Sequence, residues 1–150
     1  MLTSRQLRGI ASYWGAQCTY KKLVNNQWLF VSTNEHVVGH VLQGLQDGTI
    51  KDITLHLRVI KSLTDEELWQ CAKLHGEYEE AFIDRYGDSM RMGNFQIFFD
   101  GNLYNHDWEP VDYSATMKKP VNNMGAIYSY LQSIHIYIPG TVDKEFVSLI

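Results

Sequence analysis

Over residues 52–59, apolar and polar side chains alternate without a slip: Ile53, Leu55, Leu57 and Val59 against Asp52, Thr54, His56 and Arg58. Successive side chains of an extended strand point to opposite faces, so this stretch needs one face on a core and the other away from it. Directly after it, Thr64-Asp65-Glu66-Glu67 has the Thr-x-x-Glu form of a capping box, in which hydroxyl and carboxylate each satisfy an orphan backbone donor. Leu63 and Leu68 stand at the positions of a hydrophobic staple, and Asp65 and Glu66 place negative charge at the positive end of the helix dipole. A strand followed by a capped helix points to a chain that mixes both element types.

The flanking sequence extends this pattern. Asn25-Asn26 lies between residues 20–24 and 27–32, and tolerates the positive φ of a tight hairpin. Asp47-Gly48 lies between residues 36–45 and 50–60, predicting a second hairpin and an antiparallel meander. Gly76 and Gly87 are helix stops that divide residues 64–87 into two helices, the second with Tyr78, Ala81, Phe82 and Tyr86 on one face. Asp100-Gly101-Asn102 predicts a third, aromatic hairpin between residues 95–99 and 103–108. Helices are expected over residues 2–14 and 122–134, the latter with Ile127, Tyr130, Leu131 and Ile134 facing a core. The expected fold is one α+β domain over residues 1–150, an antiparallel sheet of about four to six strands with three or four helices packed largely on one face.

Composition agrees. A chain of 150 residues, 45% hydrophobic and 20% charged, buries a core without metal or disulfide staples. Cys18 and Cys71 form no CxxC pair, which predicts reduced structural thiols. No apolar run of a secretory leader follows Arg5 and Arg8, and no segment approaches the ~20 apolar residues that span a bilayer. A cytoplasmic protein with no membrane contact is expected. The formal charge of −4 disfavours a nonspecific nucleic-acid binder, which needs a dense basic surface. That charge is uneven: residues 1–75 hold 8 basic and 6 acidic side chains, whereas residues 76–150 hold 5 and 11.

Candidate chemistry is sparse. His36 and His40 are four apart; on a strand that spacing places them about 13 Å from each other, too far for one metal ion. Asn105-His106-Asp107-Trp108-Glu109 sets an imidazole beside two carboxylates, but His106 and Asp107 face opposite ways on a strand. A catalytic couple of His106 with Asp107, Glu109 or remote carboxylates would have to be assembled by the fold. His56 and Arg58, with Lys61, make a small basic spot able to meet a phosphate or an acidic partner. No Gly-x-Ser-x-Gly elbow, GxGxxG or GxxxxGK[ST] loop occurs, so no cofactor or metal is expected. The aromatic run Phe95, Phe98, Phe99, Tyr104 and Trp108 exceeds what one face of a hairpin needs. Either that strand is sandwiched or Tyr104 and Trp108 offer an interaction surface.

Two stretches resemble small uncharacterised proteins of phages and prophages of gut Bacteroidetes. Leu57-Arg58-Val59-Ile60-Lys61-Ser62-Leu63-Thr64-Asp65-Glu66-Glu67 is similar to that family's Leu-Arg-Pro-Leu-Ser-x-Leu-Thr-x-Glu junction, with Val59 in place of proline and Lys61-Ser62 in place of Ser-x. The stretch from Tyr130 to Gly140 resembles the family's closing helix, turn and apolar tail. Together they cover about 22 residues and carry no chemistry. The resemblance implies a phage-derived, cytoplasmic, noncatalytic accessory protein; joined to the missing catalytic signatures and the aromatic hairpin, it leads to the expectation of one acting through protein–protein contact. Two other readings stand beside it: a small histidine/carboxylate hydrolase or nuclease, metal-dependent in one form, and a virion or assembly component.

Overall fold

A computed structural model describes residues 1–106 and 121–150. Its class is α+β, with mainly antiparallel strands and four α-helices among the described residues. The strands form two four-stranded sheets, and the chain divides into two compact units, Met1–Arg58 with Leu131–Ile150, and Val59–Tyr130.

The first unit opens with α1 (Ser4–Ala11), capped by Thr3 and Gln6 in a reciprocal capping box. Strands β1 (Gln17–Val24) and β2 (Gln27–His36) form the expected hairpin, its Asn25 and Asn26 at φ of 50° and 61°. Helix α2 (Gly39–Asp47) and β3 (Ile50–Leu57) follow. The sheet order is β2-β1-β3-β8, where β8 (Val147–Leu149) lies parallel to β3. Buried Cys18, Tyr20, Leu55 and Leu57 meet Ile10 of α1 and Val41 of α2 in one apolar cluster. The buried Tyr13 hydroxyl pairs with Thr141 Oγ1 at 2.8 Å and accepts from the Ile138 N–H at 3.0 Å. These bonds anchor the C-terminal stretch that leads into β8.

One expected strand is a helix. Residues 39–47 carry Val41 and Leu45 one helical turn apart, and both are buried. The Asp47-Gly48 signal is real, but Gly48, at φ 79°, ends α2 instead of turning a hairpin. Burial at helical spacing overrode the strand preference of Val37-Val38.

In the second unit, α3 (Asp65–His75) starts at the predicted capping box, with both reciprocal bonds made. Strands β4 (Ile83–Tyr86), β5 (Ser89–Met92), β6 (Phe95–Phe98) and β7 (Leu103–Asn105) form an antiparallel meander in sequence order. Met90, Met92, Phe95 and Ile97 are buried on one face of it. Helix α4 (Met124–Ser133) occupies the expected place and carries the chain back to the first unit. Residues 77–82, expected to begin a second helix, have no regular structure, and residues 83–86 are a strand. The reason is tertiary: β4 pairs along its length with β5, and Arg85 donates to Asp65 Oδ1 at 2.7 Å and to the Leu63 carbonyl at 3.0 Å. A helix here would forgo all of these bonds.

Candidate functional site

Among the described residues, the largest grouping of exposed apolar side chains lies on the β1–β2 hairpin. Two asparagines at positive φ make a two-residue turn, so Val24 and Gln27 close the ladder as a hydrogen-bonded pair. The alternation of an antiparallel ladder then makes Leu23 with Trp28, and Lys21 with Phe30, the non-hydrogen-bonded pairs. Trp28 and Phe30 therefore turn their main-chain groups to the outer edge, and β2 has no partner beyond β1 among the described residues. Trp28 is 37% exposed, Leu29 49% and Phe30 62%.

The same register puts lysines among these rings. Phe30 faces Lys21 across β1, and Lys21 faces Lys51 across β3. The Lys51 ammonium stands 4.2 Å from the Trp28 ring centroid, so both occupy the face turned away from the core. Asp52, at φ 54° where the β1–β3 register shifts, reaches Lys21 at 3.4 Å. Lys22 is exposed on the neighbouring position. The result is an aromatic edge strand whose ring-bearing face holds two lysines and one carboxylate, with Lys22 opposite Leu29 on the other face. It can pair an extended chain through its main chain and select it through rings and positive charge.

The residues singled out from sequence are placed differently. His56 and Arg58 follow one another on the outward positions of β3 and beyond it. Arg58 is held by structure: its N–H donates to the His135 carbonyl at 2.9 Å, its carbonyl accepts from the Tyr137 N–H at 2.8 Å, and its guanidinium reaches the Ile134 carbonyl at 3.5 Å. Lys61 is exposed in a 3-10 turn at the start of the second unit. Tyr104 is half-buried, its ring edge-on to Phe98 with centroids 4.8 Å apart. Phe95 and Ile97 are buried on the opposite face of β6, so that strand is apolar on both sides, as its sequence implied.

His106 follows β7. Its N–H donates to the Asn94 carbonyl at 2.8 Å, and its ring Nε2 meets the Gln96 amide oxygen. Gln96 donates in turn to Ser89 Oγ at 2.7 Å. An amide thus stands between the imidazole and the hydroxyl of Ser89. Asp107, Trp108 and Glu109 lie outside the described residues. Among the described residues, no three His, Cys, Asp or Glu side chains converge as metal ligands would. His36 ends β2 and His40 is the second residue of α2, with His40 4.0 Å from Glu35.

Cys18 and Cys71 are both buried and unpaired, and burial pushes their thiols up to about 11 and about 12. Neither is a ready nucleophile at neutral pH.

No family model, curated protein or solved structure matches this chain. No helix among the described residues is long and apolar enough to cross a membrane.

Trp28, Leu29 and Phe30 were not singled out from sequence. Residues 27–31 read as one half of a hairpin, and alternation did not show which half lies at the sheet's edge. Three consecutive large apolar residues on a strand whose partner carries Lys21-Lys22 was the available signal.

Proposed function

We propose that this chain is a noncatalytic accessory protein of the phage or prophage type that acts in the cytoplasm through protein–protein contact, using the β1–β2 hairpin. The observation that carries this reading is the open edge of β2, with Trp28 and Phe30 exposed on one face and Leu29 exposed on the other. A long edge strand with apolar side chains is a liability in a free protein, so its retention points to a partner that covers it. The Gln96 amide between His106 and Ser89 supports a structural rather than a catalytic role for that histidine.

The test is capture by immobilised protein, comparing the wild type with a Trp28→Ser, Phe30→Ser variant and with a Tyr104→Ala variant. Proteins retained by the wild type and the Tyr104 variant, but lost by the hairpin variant, are the expected result. Retention that is indifferent to the hairpin substitutions would sink the assignment to this surface.

A further inference from the structure

Resting on the reading of the hairpin as a contact surface, we propose that its occupant is a second copy of this chain, which contributes residues 78–84. The two surfaces are complementary in charge and in kind. The first unit holds 7 basic and 5 acidic side chains, and the second 6 and 12. On the hairpin face that carries the exposed rings of Trp28 and Phe30, the positive charge is that of Lys51 and of Lys21, which Asp52 meets at 3.4 Å. In the second unit, Tyr78-Glu79-Glu80-Ala81-Phe82-Ile83-Asp84 has three carboxylates and no base. Tyr78 is 96% exposed and Phe82 92%, so both rings lie in water with almost no protein against them.

The form of this segment suits an edge strand. Residues 77–82 make no helix, and the stretch enters the edge strand β4 at Ile83. Drawn out along β2, its side chains would alternate, placing Tyr78, Glu80, Phe82 and Asp84 on one face. That face offers ring, carboxylate, ring, carboxylate to a surface of two rings with lysines on the adjoining strands. The main-chain groups that Trp28 and Phe30 turn outward supply the ladder. Because donor segment and acceptor edge are different surfaces, the contact is heterologous. It closes as a reciprocal dimer or ring, or else extends into a filament.

The experiment is sedimentation velocity of the full chain across a concentration series, at roughly 50 mM and 500 mM salt, where the Debye length changes about threefold. The wild type is expected to exceed the 17.4 kDa of one chain, with mass rising with concentration and falling with salt. A Lys21→Glu, Lys51→Glu variant and a Glu79→Lys, Glu80→Lys variant, each with unchanged circular dichroism, should self-associate at least tenfold more weakly. Mixing the two should restore association, because each then meets its charge complement.

A wild type that stays at one chain's mass at every concentration overturns the proposal, as does association that neither charge reversal weakens. Binding of a single-stranded oligothymidylate to a monomeric wild type, lost in the lysine variant, overturns it in favour of nucleic acid. A monomeric wild type that still captures other proteins through Trp28 and Phe30 overturns this inference alone and leaves the contact-surface reading standing.

Discussion

Lys51 of β3 lays its ammonium 4.2 Å from the centroid of Trp28 on β2, reaching across the intervening strand β1. The pair spans three strands on the solvent side of the sheet and orients the ring at the centre of the proposed surface. Exposed cation–π pairs contribute about 0.5–1 kcal/mol. A double-mutant cycle with Lys51→Met and Trp28→Leu, followed by denaturant unfolding, should give a coupling in that range. A coupling near zero would show that the lysine does not hold the ring.

Gly44 faces Ile50, and a Cβ built on it would lie 2.5 Å from Ile50 Cδ1 and 2.6 Å from Cγ1. Alanine gains about 1 kcal/mol of helix propensity over glycine, which opposes the clash. The overlap involves two atoms of a buried side chain, so overpacking of about 1–3 kcal/mol should win. Gly44→Ala is expected to lower the unfolding midpoint. Adding Ile50→Ala should make the double variant less destabilised than the two single effects combined. Additive effects would mean that α2 does not sit as closely on β3 as described.

The capping box of α3 is complete, with Glu67 N–H donating to Thr64 Oγ1 at 3.1 Å and Thr64 N–H to Glu67 Oε1 at 2.9 Å. Thr64→Ala removes the hydroxyl and should cost about 1 kcal/mol. Thr64→Ser keeps the acceptor and should cost much less. Hydrogen exchange at the first turn of α3, faster in the alanine variant only, is the local measure of the same loss.

Burial raises Cys18 to about 11 and Cys71 to about 12 from an ordinary value of 9.0. Between pH 9 and these values the folded chain keeps thiol protons that the unfolded chain has released. The stability they contribute is therefore complete below pH 9 and is lost as pH rises through the folded values. A Cys18→Ala, Cys71→Ala variant should show a shallower fall in unfolding free energy from pH 9 to 11 than the wild type. A thiol reagent at pH 8 should label the native protein slowly and the unfolded protein at once. Labelling of the native protein at the free-thiol rate would contradict the burial.

For three signals confined to a few neighbouring residues, the sequence was sufficient. Asn25-Asn26 turned the expected hairpin, Thr64 and Glu67 capped the expected helix, and Ile53, Leu55 and Leu57 faced the core by simple alternation. Residues 39–47 failed because Val37-Val38 and Asp47-Gly48 suggested strand and turn locally, whereas Val41 and Leu45 were buried by a helix. Residues 83–86 failed because their bonding partners, in β5 and near Asp65, lie in other elements.

The candidate surface shows the same division. Sequence drew attention to Tyr104, where aromatic residues are dense, and the structure packs that ring against Phe98. It passed over Trp28 and Phe30, because exposure depends on which strands come to lie alongside.

By itself, then, the sequence determined the mixed class, the Asn25-Asn26 and Asp100-Gly101-Asn102 turns, the cap and the inward face of β3. Each depends on dihedral preferences or on bonds between residues close in the chain. Only the tertiary structure decided that the strands divide between two sheets, that β2 is an edge and that Lys51 sits over Trp28. Those follow from pairing between distant segments, where the burial of one side chain is settled by its neighbours rather than by its own chemistry.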